Sequence, residues 1–210
     1  KSAEIAKMQK GAGAVGVCCA KLGEAEVLVS HDIKDILITT PVIGISKLTR
    51  MMQISKEATI SVVADNPDNL SEMAAVAQTC GIRPDVVIEV DVGQGRCGVQ
   101  PGDPALQLAY EVMNADWLNF KGLQGYQGAI QMMASFAERD AAARKAVGLL
   151  TDTADLIRKA GLPLEYLTGG GSGTSIIDAA SAGLTELQPG GYLFMDSRYR
   201  EIEWDHGNSI

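Results

Sequence analysis

Four short glycine-bearing stretches carry the side chains with chemistry to offer. DVGQGRCGV (91–99) ends an apolar run in Asp91, turns through glycines and presents Arg96. A guanidinium fixed there can stabilise a phenolate or a carboxylate, and a solvated turn arginine is the plain alternative. GLQGYQG (122–128) sets Tyr126 among glycines that leave little bulk to cover its ring, with Gln124 and Gln127 beside it. Such a ring can wall a planar ligand, or it can simply pack. TGGGSGT (168–174) combines four glycines with three hydroxyl residues and runs into SIIDAA, a helix with Ser175 or Thr174 as N-cap. Glycines let backbone come close to a ligand, and helix-end N–H groups favour an anion, above all phosphate. ELQPGGYLFMD (186–196) adds Gln188, the pair Gly190–Gly191 and Tyr192. TGGGSGT itself fits neither GxGxxG nor GxxxxGK[ST], so that loop supports neither a dinucleotide fingerprint nor a P-loop. His31 and His206 are placed as surface residues, without a Ser–His–Asp or Cys–His pairing.

These stretches are positioned by one repeated rhythm. Apolar runs at 14–20, 35–42, 59–65, 85–92, 118–126, 164–170 and 186–196 alternate with helical patterns, including a long one over roughly 132–160. The runs lack strict polar alternation, as strands covered on both faces do. Strand–helix alternation implies right-handed crossovers and a parallel sheet, an α/β fold. A helix-like opening, KSAEIAKMQK, implies one more strand before Lys1. Eight such units make a TIM-type (β/α)8 barrel, here missing its first strand; an open doubly wound sheet is the alternative. Polar residues follow nearly every run at its C-terminal end: Thr39–Thr40, Asp65–Asn66, Gln94–Arg96, Tyr126–Gln127, Thr168–Thr174 and Gln188–Tyr192. In a barrel those ends ring the mouth where active sites lie, and the loops after the last two strands commonly share a phosphate site. TGGGSGT and QPGG fall in those two loops.

Composition narrows the classes further. The 210 residues are 46% hydrophobic and only 5% aromatic, which implies an aliphatic core. A net charge of −8 argues against a nucleic-acid surface but leaves room for a locally built anion site. Cys18, Cys19, Cys80 and Cys97 have no metal-like spacing and are expected as reduced thiols in a cytoplasmic protein. No apolar run reaches the roughly 18 residues of a membrane span. Both ends read as cut, the tail WDHGNSI being unpatterned.

GVCCAKLGEAE, DVGQGRCGV, GLQGYQGAIQ, TGGGSGT and ELQPGGYLFMD, in this order, resemble the barrel domain of the D-threonine aldolase group. These are fold-type III pyridoxal-phosphate enzymes with the alanine-racemase-like fold. GYQGAIQ and SFAERDAA are especially similar to the 3-hydroxyaspartate aldolases, whereas D-serine and hydroxyaspartate dehydratases match less closely. The resemblance implies that Arg96 lies near the cofactor's phenolic oxygen and Tyr126 beside the pyridine ring. Gln188 takes the place where alanine racemases set an arginine against the ring nitrogen, and would donate one hydrogen bond without protonating it. Gly170, Gly171, Ser172, Gly173 and Thr174, with Gly190, Gly191 and Tyr192, would hold the phosphate; Thr39 is a further candidate from the rim. The family's Schiff-base lysine belongs to a His-x-Lys-x-His-Lys stretch whose last lysine matches Lys1, so it would precede this chain and no catalytic residue is named within it. The ligands of a divalent metal, Mg or Mn, belong to a C-terminal β domain, which makes residues 1–210 a truncated barrel domain without metal ligands. Ala20 stands where close relatives carry a glutamine. The implied activity is reversible cleavage of small 3-hydroxy-amino acids to glycine and an aldehyde, in a homodimer with no nucleic-acid or membrane partner. A dehydratase, a non-catalytic pyridoxal-phosphate-binding protein and a sugar-phosphate barrel enzyme are the alternatives.

Overall fold

A computed structural model describes residues 2–204, so Lys1 and His206 lie outside the described residues. The chain runs α1 (Ala3–Gly11), β1 (Val17–Cys19), α2 (Leu22–Val29), β2 (Asp35–Ile38), α3 (Ile45–Ile54), β3 (Thr59–Ala64), α4 (Pro67–Cys80) and β4 (Asp85–Val90). It continues through α5 (Asp103–Asn114), β5 (Asn119–Gly125), α6 (Phe136–Lys159), β6 (Tyr166–Gly169), α7 (Ser175–Ala180) and β7 (Glu186–Leu187). The seven strands are those expected from the apolar runs. Their order in the sheet is the chain order, β1 to β7. A doubly wound sheet needs a point where strand order reverses, and there is none; sequential parallel order is that of a TIM-type barrel.

Two compact units divide the chain, one built from residues up to Ile88 with Gln107–Lys121, the other from Glu89–Leu106 with Gly122 onward. In the first, β1 to β4 pair in parallel, with Val17 opposite Ile36, Ile36 opposite Ile60 and Val62 opposite Val86. β3 buries five consecutive residues, Ile60 to Ala64, which explains why its sequence does not alternate. α4 shows how local signals set helix ends. The Asn66 side chain accepts from the Asp68 and Asn69 amides, Pro67 opens the first turn, and Gly81 closes the helix at φ 66°. Thr39 belongs to this unit, where its hydroxyl donates to the Cys19 carbonyl at 3.2 Å. Cys19 is buried and the other three cysteines are half-buried, all as thiols.

In the second unit, β6 pairs with β5 and β7. Gly122 is required there by space: a Cβ at this position would lie 1.9 Å from the Tyr166 carbonyl oxygen, at φ +152°. Two elements differ from expectation. The long helix begins at Phe136, because Ser135 caps it, accepting from the Glu138 amide; Ala129–Met132 forms a separate 3-10 turn. The last apolar run supplies only two strand residues. Pro189 has no amide to donate and Gly190–Gly191 favour a turn, so Gly191–Leu193 winds into 3-10 geometry and leaves Phe194 83% exposed. No helix among the described residues is long and apolar enough to cross a membrane.

Gly122→Ala is expected to destabilise the protein by about 3 kcal/mol or more, since backbone must move to admit the methyl group. Gly11→Ala, where nothing lies within 4 Å, should be neutral or slightly stabilising. Urea denaturation of the two variants measures the contrast.

Candidate functional site

Arg96 owes its position to a carboxylate five residues earlier. Asp91 Oδ1 accepts from the amides of Gly93 and Gly95, each at 3.0 Å, which folds the loop after β4 back on itself. The Gly95 bond, then that of Gly93 against the opposing effect of burial, holds the Asp91 carboxyl below the usual aspartate range. At the loop's base the Asp91 amide donates to Val99 O at 2.8 Å and the Val99 amide to Glu89 O at 2.9 Å. Gly98 must be glycine, because a Cβ would sit 2.7 Å from the Asp91 nitrogen. Arg96 then lies with its guanidinium carbon 6.0 Å from the centre of the Tyr126 ring, a cation–π distance. Gln94 latches this loop to the next, its Oε1 accepting from the Gly128 amide at 2.6 Å. Gly128 also makes room for the tyrosine, since a Cβ there would meet the Tyr126 ring edge and hydroxyl at 3.2 Å. Arg96 and Tyr126, singled out separately in the sequence, are thus brought together.

The glycine loop after β6 is shaped by protein atoms. A Cβ on Gly170 would lie 2.5 Å from Asp178 Oδ2, one on Gly171 2.5 Å from Gln131 Oε1, and one on Gly173 2.0 Å from the Gln131 carbonyl oxygen. Gln131 Oε1 accepts from the Gly173 amide at 2.9 Å and the Thr174 amide at 3.2 Å, while Nε2 donates to Thr174 Oγ1 at 3.0 Å. The Thr174 hydroxyl donates to Asp178 Oδ2 at 2.5 Å. Burial pushes the Asp178 carboxyl up, against the hydrogen bonds from Thr174 and Gly171 that lower it. Thr174 is the N-cap residue of α7, as expected, but its side chain makes no cap bond, and the helix has only six residues. The inner amides of the loop are therefore engaged by Gln131. Ser172 reaches the other way, its Oγ accepting from the Tyr192 amide at 3.0 Å, so TGGGSGT and QPGGY do meet.

Behind this loop lies Arg139, 0% exposed. Its Nε donates to Gly173 O at 2.9 Å, one terminal nitrogen to Met133 O at 2.5 Å, and the other to Glu203 O. Burial lowers its pKa, with Glu203 acting in the opposite sense. Sequence reasoning did not single out Arg139 or Gln131. For Arg139 a signal existed: it falls in register with Ala143, Ala146, Leu150 and Ile157 on the buried face of α6.

Gln188 follows β7. Its Nε2 donates to Gln124 Oε1 and to Thr168 Oγ1, both at 2.9 Å, so the three strands are joined by a row of polar side chains. With both amide hydrogens used, the side-chain atom left is Oε1, an acceptor where the resemblance implied a donor. Thr39 and Ala20 belong to the first unit. Among the described residues no three His, Cys, Asp or Glu side chains gather to hold a metal ion.

Comparison with known proteins gives this geometry its context. Residues 1–198 match the family model of the alanine racemase N-terminal domain. The chain is 42% identical over 205 residues to a D-threonine aldolase of an Arthrobacter species, covering 98% of this chain and 54% of that protein. It is 37% identical over 212 residues to a 3-hydroxy-D-aspartate aldolase of Paracoccus denitrificans, covering all of this chain and 55% of that one. The crystal structure of D-threonine aldolase from Filomicrobium marinum superposes with a TM-score of 0.93 at 39% identity, over 95% of this chain and 54% of that one. The fold is accordingly that of the alanine-racemase-like TIM-type barrel domain. The chain spans about half the length of the curated relatives it matches.

A group whose folded-state pKa is depressed stabilises the fold above its unfolded value, near 3.9 for aspartate, and loses that contribution as pH falls through the folded value. Asp91→Asn keeps an accepting oxygen but removes the charge. It is expected to cost about 1 kcal/mol at pH 7, the gap to wild type narrowing as the pH is lowered from about 6 toward 3. Urea unfolding across that range measures it, and a constant gap would show that the charge does not hold the loop.

Proposed function

The chain belongs to the alanine racemase N-terminal domain family, and on that premise we propose that it is the barrel domain of a pyridoxal-phosphate-dependent aldolase. The reaction is reversible cleavage of 3-hydroxy-amino acids to glycine and an aldehyde. What carries the aldolase assignment is similarity along the whole chain to two aldolases, at 42% and 37%, against 26% for a D-threo-3-hydroxyaspartate dehydratase of a Delftia species.

The residues of the second unit fit the cofactor. A phosphate requires donors and open space, and these occur where Ser172 meets the second glycine pair. A Cβ on Gly190 would meet nothing within 4 Å, and one on Gly191 would come 3.0 Å from Tyr199 Oη and 3.2 Å from Ser172 Oγ. Gly190 and Gly191 would present backbone amides there and Ser172 its hydroxyl, while Tyr192, whose amide donates to Ser172 Oγ, would hold that serine in place. Gly171, Gly173 and Thr174 would support that cup from behind, because Gln131 and Asp178 already engage their polar groups, and Gly170 leaves room there for the Asp178 carboxyl. Arg96 supplies a permanent positive charge for the phenolic oxygen, and Tyr126 a flat wall for the ring. Gln188 Oε1 would face the ring nitrogen and accept from it.

When bound, pyridoxal phosphate supplies the electron sink into which the Cα–Cβ bonding pair of the substrate can be released. The chain's own part is orientation and charge. Arg96 is held by the Asp91 turn on one side and the Tyr126 ring on the other, so its charge needs no rearrangement during reaction. Tyr126 would exclude water from one face of a cofactor ring held against it. Gln188, tied to Gln124 and Thr168, would offer that ring a fixed polar contact. A divalent metal, Mg or Mn, homodimeric assembly, a cytoplasmic location and small amino-acid substrates belong to the same proposal for the whole enzyme.

The full-length protein, supplied with pyridoxal phosphate and Mg²⁺ or Mn²⁺, is expected to release glycine from D-threonine or 3-hydroxy-D-aspartate. Ammonia and a keto acid as products would assign it instead to the dehydratases, whose solved member from the Delftia species superposes with a TM-score of 0.87. Arg96→Ala should alter the absorption spectrum of the bound cofactor and lower kcat/KM by about 10²-fold. An unchanged spectrum would remove Arg96 from the cofactor.

A further inference from the structure

Arg96 projects from the loop between β4 and α5, and its distance from Tyr126 depends on where that loop is placed. Asp91, through its bonds to the Gly93 and Gly95 amides, gives the loop its shape. Among the described residues no hydrogen bond or ion pair holds the Arg96 side chain itself. The residue is exposed, and its contact is the Tyr126 ring, 6.0 Å from the guanidinium carbon. A cation–π contact at an exposed site is weak and tolerates a range of positions. An arginine side chain also loses much rotamer freedom when it is held still. The pair therefore does not set its own spacing; the two loops that carry it do.

Gln94 joins those loops. It stands between Gly93 and Gly95, at the tip of the Asp91 turn, and its Oε1 accepts from the Gly128 amide at 2.6 Å. The partner fixes which atom this is, because a backbone amide can only donate and so must face the side-chain oxygen. Gly128 follows Tyr126 by two residues. The position a Cβ would take on Gly128 is 3.2 Å from Gln94 Oε1, from the Tyr126 ring edge and from the Tyr126 hydroxyl alike. The glutamine oxygen and the tyrosine ring thus border one small space that glycine keeps open.

The second loop reaches back toward the first. Gln127 Nε2 donates to Gly93 O at a long 3.5 Å. It also packs against Gly93 so closely that a Cβ there, at φ +117°, would come within 2.7 Å of that nitrogen. The tip of the Arg96 loop is caught from two sides, by a short hydrogen bond at Gln94 and by close packing at its neighbour.

We propose that Gln94 is a positioning residue for Arg96: its bond to Gly128 sets the spacing of the guanidinium and the Tyr126 ring. It thereby sets the place at which Arg96 offers its charge to the phenolic oxygen of the cofactor. This rests on the cofactor assignment proposed above. The influence of a charge falls with distance, so displacing Arg96 changes the electronic state of the bound cofactor and with it the absorption spectrum. A brace with a purely structural role changes stability and leaves that spectrum alone.

The test loads the full-length protein with pyridoxal phosphate as wild type, Arg96→Ala, Gln94→Met and the double variant. The absorption spectrum of the bound cofactor, its affinity and the ligand-free Tm are recorded for each. Gln94→Met keeps the length of the side chain and removes the acceptor. Its spectrum is expected to move in the same direction as that of Arg96→Ala, with cofactor affinity lowered about 5-fold. The double variant should match Arg96→Ala in both, because Gln94 then has no residue to act through. A lower Tm with a wild-type spectrum in Gln94→Met would make Gln94 a brace of the fold and overturn the proposal. A spectral effect of Gln94→Met that persists in the Arg96→Ala background would overturn it too. If Gln94→Met does not fold, Gln94→Ala, which lets water reach the Gly128 amide, must show the spectral change, and a wild-type spectrum there overturns the proposal. Failure of wild type to take up pyridoxal phosphate would instead overturn the cofactor assignment, and an unchanged spectrum in Arg96→Ala the role of Arg96; either removes this proposal with it.

Discussion

The guanidinium of Arg139 donates to three backbone carbonyls, Gly173, Met133 and Glu203, and most of the second unit's functional geometry hangs on that convergence. None of the three carbonyls lies in a strand or α-helix that would satisfy it internally. A buried carbonyl without a donor costs as much as a lost hydrogen bond, and a buried arginine without acceptors costs more. Each therefore requires the other. The glycine loop, the entry to α6 and the C-terminal segment are held together by one side chain with five donors in a rigid fork. Lysine, with a single ammonium on a flexible stem, has no equivalent geometry.

Around this anchor the polar groups fall into two sets. Gln131, Thr174 and Asp178 satisfy one another and the inner amides of the glycine loop. They make the loop rigid before any ligand arrives, which removes an ordering cost from binding. A second set borders the more open space: Arg96 over the Tyr126 ring, and Ser172 next to Gly191. Asp91 and Gln94 do for Arg96 what Gln131 and Arg139 do for the glycine loop. In both places a side chain stands in for the regular backbone ladder that a loop lacks, and the charged or hydroxyl group beside it is left free of that duty.

How much of this was legible in the sequence differs from one residue to the next. The strand ends at Cys19, Ala64, Val90 and Gly169 were visible because apolar runs stop there and polar or glycine residues begin. Arg96 and Tyr126 were visible for the same reason, as functional side chains at such ends. The glycines of TGGGSGT were visible too, but their purpose was not: Gly170, Gly171 and Gly173 admit Asp178 and Gln131, whereas the open space lies at Gly190. A glycine in a sequence announces that something comes close without saying whether it is a ligand or the protein itself. Tyr199 gave no signal, since a tyrosine between two arginines in a short polar stretch looks like surface.

The sequence by itself determined the order and type of the elements, and through them the barrel class and the end of the strands where function gathers. Apolar periodicity, caps and glycine breaks act over a few residues, so each can be read where it stands. Tertiary structure alone decided which donors are spent and which remain. Gln131 meets Thr174 across 43 residues, and Arg139 reaches Glu203 across 64. Hydrogen-bond capacity is finite and is allotted only once all partners are in place, so the engagement of the Gly173 and Thr174 amides by Gln131 belongs to the fold and to no local stretch of sequence.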